Sequence, residues 1–126
     1  MAQAELDVYT EVVDGITVLS LVGPVDSATF DDLKAALHPL NRGEASRCLV
    51  DCTRLTYINS KGIGLLANLH RQSMIQMGYV AFCGLTPRIM KTMELLGLGK
   101  RLHIFENRET ALASFPDLHS SSSGES

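Results

Sequence analysis

The segment from Leu49 to Leu66, Leu-Val-Asp-Cys-Thr-Arg-Leu-Thr-Tyr-Ile-Asn-Ser-Lys-Gly-Ile-Gly-Leu-Leu, constrains the fold more than any other part of the chain. A short apolar strand around Cys48 to Val50 runs into a polar turn over Thr53 to Asn59, and a long apolar helix begins near Ser60. One hydroxyl therefore falls at a helix N-terminus, where unpaired backbone N–H groups and the positive end of the dipole favour negative charge. A phosphate attached there would enter a ready-made anion site. Gly62 and Gly64 follow immediately. Each glycine weakens a helix by about 1 kcal/mol relative to alanine, so two in the first turns call for a packing or docking reason.

Strand and helix patterns alternate around this segment. Leu6–Glu11 and Ile16–Val22 read as strands joined at Asp14-Gly15, a hairpin signal. The second run alternates only in part, which predicts a central strand ending at Gly23-Pro24. Asp26, Ser27 and Thr29 are all competent to cap a helix carrying Phe30, Leu33, Leu37 and Leu40 at helical spacing. Pro39 predicts its end or a kink near His38, followed by a loop over residues 41–44. Arg47–Asp51 is the third strand, and the helix from Ser60 closes at Gly78. On a wheel of 100° per residue, Ile63, Leu66, Ala67, His70, Met74 and Met77 share the half that should face the sheet. Leu65 and Leu69 then point outward beside the glycines, an apolar feature with no use in a lone soluble domain. Tyr79–Cys83 is a fourth strand. Thr86 and Pro87 open a third helix with Ile89, Met90, Met93 and Leu96 along its apolar stripe. His103–Phe105 is a short last strand, and Asn107 caps a helix running to Phe115. Together these elements predict an α/β fold, one mixed sheet with helices packed on it, over residues 1–116. The serine-rich residues 117–126 read as a disordered tail.

Composition narrows the function classes. With 126 residues, 45% hydrophobic and 20% charged, the chain has the material for one domain with a real core. A net charge of −3 leaves no electrostatic footprint for nucleic acid. No apolar run approaches the roughly 20 residues of a membrane span. The opening Met-Ala-Gln-Ala-Glu-Leu-Asp has neither a basic nor an apolar leader region, so no signal peptide is expected and a cytoplasmic location is. Cys48, Cys52 and Cys83 are odd in number and scattered, as reduced cytoplasmic thiols are. Cys48 and Cys52 lack zinc spacing, and Cys83 reads as core. His70 reads as a satisfied core histidine. No phosphate loop, dinucleotide fingerprint or nucleophile elbow is present, so neither a catalytic residue nor a cofactor or metal is expected.

Asp51 to Leu66 resembles the signature of the STAS domain and, within that superfamily, of bacterial anti-sigma factor antagonists. The resemblance extends over about residues 5–115 and implies a small domain of four or five strands and about four helices. It implies that Ser60 is phosphorylated by a partner that is both an anti-sigma factor and a serine kinase, and is reset by a serine phosphatase. Unphosphorylated, the chain would bind that partner, as a monomer or a weak dimer. The surface implied comprises Asp26, Ser27, Asn59, Ser60, Lys61, Gly62, Ile63, Gly64 and Leu65. Asn59 replaces the aspartate common in the family; it still accepts hydrogen bonds but carries no charge. Three of these positions have a simpler reading beside the implied one. Ser60 and Asp26 can be plain helix caps, and Lys61 a solvated lysine or a partner for phosphate. An alternative role is a STAS interaction module of a transport or signalling complex in which Ser60 is never modified.

Overall fold

The structure, a computed structural model, describes residues 4–43 and 46–116. The expected serine-rich tail at 117–126 lies outside the described residues. In chain order the elements are β1 (Asp7–Val13), β2 (Ile16–Val25), α1 (Phe30–Asn41), β3 (Arg47–Ile58), α2 (Ser60–Ile75), β4 (Tyr79–Cys83), α3 (Pro87–Leu95), β5 (His103–Phe105) and α4 (Arg108–Ala113). They form one mixed five-stranded sheet with four helices, as expected. The strands lie in the order β1-β2-β3-β4-β5, antiparallel between β1 and β2 and parallel thereafter.

This order decides where the helices go. Right-handed crossovers between successive neighbours in a parallel sheet carry every connecting helix to the same face. Accordingly Leu33 and Leu37 of α1, Ile63, Leu66 and Leu69 of α2, and Ile89 and Met93 of α3 share one core with Leu21, Cys48, Val50, Cys52 and Phe82 of the sheet. Among the described residues, α4 is the helix on the other face. Ala111 and the following Phe115 pack there on Ile16, Val18, Leu49, Ala81 and Cys83. Strand residues alternate between the two layers, so Cys48 and Cys52 of β3 face the helical layer while Cys83 of β4 faces α4. All three thiols are unbridged and buried. Burial raises the Cys48 and Cys83 thiols to about 12, the Asp51 charge adding to the effect at Cys83, and lifts Cys52 further still.

Several boundaries differ from expectation. β2 does not stop at Gly23-Pro24 but continues to Val25, because β3 runs on beside it to Ile58. The two strands stay paired through register shifts at Ser20/Val22 and Gly23/Pro24, which accommodate the proline. The predicted polar turn over Thr53–Asn59 is therefore mostly strand. α1 continues through Pro39 to Asn41, since near a helix C-terminus the proline leaves only one carbonyl without its donor. α2 is rotated from the predicted face. Gly62, Ile63, Leu66, Leu69 and Ser73 are buried, whereas Met74 and Met77 are 65% and 93% exposed. Met77, not Gly78, adopts the left-handed conformation after α2, at φ +61°. α3 ends at Leu95, leaving Leu96 exposed, and α4 ends at Ala113. The predicted caps Thr86 and Asn107 accept from the amides of Ile89 and Thr110 at 3.2 and 2.8 Å.

Candidate functional site at the carboxyl ends of β2 and β3

β2 and β3 are parallel and finish side by side, with Val25 paired to Ile58. The chain leaving each strand therefore emerges at the same place, the usual position for a site in an open α/β sheet. Both loops are fastened to the last residues of β2. The Thr29 hydroxyl donates to the Pro24 carbonyl at 2.8 Å and accepts from the Asp26 amide at 3.0 Å. The Asn59 amide donates to the Val25 carbonyl at 3.0 Å.

The turn into α2 is built by Asn59. Its backbone is extended, and its Oδ1 accepts from the Gly62 amide at 2.8 Å, so Asn59 is the N-cap of α2. The simpler reading of Ser60 as the cap is thereby corrected. Ser60 is the first helical residue, and its side chain is exposed. Capping is a demand that Asn59 already meets, which leaves the hydroxyl at the positive end of a 16-residue helix without a structural duty as a cap. Gly62 has a packing reason. A Cβ there would lie 2.7 Å from both Ile58 and Val25, so only glycine lets α2 start this close to the strand ends. Gly64 has none, because a Cβ there would meet nothing within 4 Å.

Ser27, Phe30, Asn59, Ser60 and Lys61 line a shallow cleft of about 390 Å³. The structure thus brings together Ser27 and the Asn59–Lys61 turn. Asp26 stands beside them in a structural role: its Oδ1 accepts from the amides of Ala28 and Thr29 at 2.9 and 3.1 Å, with the Thr29 hydroxyl oxygen nearby at 3.2 Å. Gly62 and Ile63 are buried and position the turn, while Gly64 is exposed and Leu65 is half-buried against the core. Sequence reasoning placed Phe30 in the apolar stripe of its helix and missed it as a cleft wall. Its place at the helix start, one residue after the Thr29 cap region, was the available signal.

A second polar centre lies beside α4. Arg108 Nε and Nη2 reach Asp51 Oδ2 at 3.0 and 2.9 Å, Nη1 reaches Glu11 at 3.0 Å, and Nη2 donates to the Ser20 hydroxyl at 3.2 Å. Asp51 Oδ1 accepts from the Thr53 amide at 3.0 Å and the Thr53 hydroxyl at 2.6 Å. Burial pushes the Asp51 carboxyl up, but the Thr53 and Arg108 hydrogen bonds outweigh it and hold it below the ordinary carboxylate value. The invisible step in the sequence was Arg108, 57 positions away from Asp51.

His70, expected to be a satisfied core histidine, is only half-buried. Its Nδ1 has no partner among the described residues, and its ring meets His103 edge-on with centroids 5.4 Å apart.

The STAS domain profile matches residues 7–111, and the chain belongs to the STAS domain family. It is 31% identical over 104 residues to BtrV of Bordetella bronchiseptica, named as a candidate anti-sigma factor antagonist, covering 82% of this chain and 89% of that one. The crystal structure of an anti-sigma factor antagonist from Mycobacterium paratuberculosis superimposes with a TM-score of 0.80 at 21% identity, over 89% of this chain and 95% of that chain. SpoIIAA, a Bacillus cell fate determinant solved in its phosphorylated form, shares the fold with a TM-score of 0.66 at 21% identity, over 85% and 97% of the two chains. No helix among the described residues is long and apolar enough to cross a membrane.

Proposed function

We propose that this chain is an anti-sigma factor antagonist that switches partners through the phosphorylation state of Ser60. The observation that carries the reading is the exposed Ser60 hydroxyl at the first position of α2, relieved of capping by Asn59. The names of its relatives support the same role. In its unmodified form the chain binds a cytoplasmic anti-sigma factor that is also a serine kinase. The chain is ligand and substrate, not catalyst. Docking over the cleft brings the partner's surface against Ser60.

Phosphate on Ser60 adds about −1.5 to −2 charges and three acceptor oxygens. The free α2 N-terminus tolerates that charge, so the fold persists. A docked partner has to desolvate it, which is expensive without a counter-charge. Modification therefore releases the partner, and a serine phosphatase restores binding. Lys61, exposed next to Ser60, supplies the nearest cation in sequence.

Mass spectrometry on protein from its native cells, in growth and under stress, tests this. The expected result is one phosphate on Ser60 whose occupancy changes with conditions. If Ser60 stays unmodified throughout, the chain is a static STAS interaction module and the switch is wrong.

A further inference from the structure

We propose that the groove between α2 and the loop joining α3 to β5 receives an acidic, amphipathic segment of the protein that docks on the Ser60 turn. The groove encloses about 460 Å³, and Gly64, Ala67, Arg71, Leu98, Arg101 and Leu102 define it. Three observations point to its occupant.

The first is charge. Arg71 and Arg101 are exposed on opposite walls, no carboxylate lines the space, and neither arginine forms an ion pair among the described residues. The Arg71 Nη2 donates to Asn68 Oδ1 at 2.6 Å, which fixes the guanidinium on the groove side of α2. His70 also lines the groove, but burial, His103 and Arg101 lower its pKa, so the two arginines carry the charge near neutrality. Guanidinium groups presented this way suit carboxylates.

The second is the floor. Leu102 is buried, and Ala67 and Leu98 are half-buried, while Met74 at the far end is 65% exposed. A small anion would satisfy the arginines and leave this apolar surface wet. A peptide carrying both carboxylates and aliphatic side chains covers both.

The third is continuity. Ser60, Gly64, Ala67 and Arg71 recur at helical spacing along one face of α2, exposed except for the half-buried Ala67, so the groove begins one turn beyond Ser60. Gly64 keeps the passage open: it has no packing constraint, and any side chain there would project into the groove. The identity of the protein that brings the segment rests on the Ser60 reading; the groove's chemistry does not.

The test is an amide-resolved NMR titration of the full chain with a short synthetic peptide of repeated Glu-Glu-Leu, its Gln-Gln-Leu counterpart, and sodium phosphate. The expected result is shifts at Gly64, Asn68, Arg71, Leu98 and Arg101 with the acidic peptide. Affinity should fall by about tenfold or more for the Gln peptide and for the Arg71→Glu, Arg101→Glu double variant. Gly64→Leu should weaken binding by about tenfold through occlusion. If charge reversal disturbs the fold, seen as lost spectral dispersion, Arg71→Gln with Arg101→Gln carries the same test. Equal binding of the Gln peptide, shifts confined to other surfaces, undiminished binding by the variants, or phosphate displacing the peptide with the same shifts would each overturn the proposal. No kinase enters the titration, so its failure leaves the Ser60 switch standing, and an unmodified Ser60 in cells leaves the groove standing.

Discussion

Two polar centres sit on β3, the Asp51–Arg108 cluster beside α4 and the Asn59–Ser60 turn at the strand's end, and they use their hydrogen-bonding groups in opposite ways. At Asp51 both carboxylate oxygens are engaged, and the guanidinium opposite reaches three different side chains. Such a cluster ties β1, β2 and β3 to α4. At the turn a single asparagine secures the helix, and the hydroxyl beside it stays in solvent. The same kinds of groups serve stability where they are mutually satisfied and exchange where one is left unspent.

The largest effect should separate the two centres outright. Ser60→Asp is expected to weaken partner binding by about 100-fold or more, equivalent to about 3 kcal/mol, while the thermal midpoint stays within about 2 °C of wild type. Calorimetric binding to the candidate kinase and a melting curve check both halves. A large loss of stability would mean that the turn is as structural as Asp51.

Arg108→Leu probes the opposite centre and should cost about 2 kcal/mol in urea unfolding. This lies between a buried and a surface pair, because the two side chains are 37% and 11% exposed. A pH series sharpens the result. The folded pKa of Asp51 lies below its unfolded value of about 3.9, so its contribution is complete above the ordinary carboxylate range and disappears as pH falls through the lower folded value. Wild type should therefore lose more stability than Asp51→Asn between about pH 5 and pH 3. Parallel curves would remove Asp51 from the acid response.

Asn59→Ala should cost about 1 kcal/mol through the lost cap, and Asn59→Asp should restore it, since a charged cap suits a helix N-terminus. The smallest and most discriminating pair is glycine to alanine. Gly62→Ala should destabilise by about 1 kcal/mol, because the crowding at Ile58 and Val25 exceeds the gain in helix propensity. Gly64→Ala should stabilise by about 0.5 kcal/mol. The same sign for both would deny that the first glycine serves packing and the second an open surface.

Much of this was legible in the sequence because the deciding signals were local. The start of α2, the strands β4 and β5 and the caps Thr86 and Asn107 each depend on a few adjacent residues. What escaped was set by partners distant in the chain. Pro24 belongs to β2 only because residues up to Ile58 pair with that strand across two register shifts. The face of α2 was misread because Gly62 and Ser73, both buried, leave no hydrophobic mark, while Met77 lies beyond the helix end where a wheel no longer applies. Within the site, Ser60 and its loop partner Ser27 could be named from sequence, but the assignment of the cap to Asn59, the Phe30 wall and the Arg108 cluster required the fold.

The three cysteines give the molecule a built-in record of which layer opens. Their thiols are buried and strongly disfavour the thiolate, so an alkylating reagent reacts only when the chain transiently exposes them. Cys48 and Cys52 belong to the core shared with α1, α2 and α3, and Cys83 to the cluster with Ala111 of α4 and Phe115 on the other face. Loss of the short helix α4 would mark one sulfur, and separation of the main helical layer would mark the other two. A mass shift on peptides of a natural, unmutated chain can thus distinguish fraying at one side of the sheet from unfolding at the other.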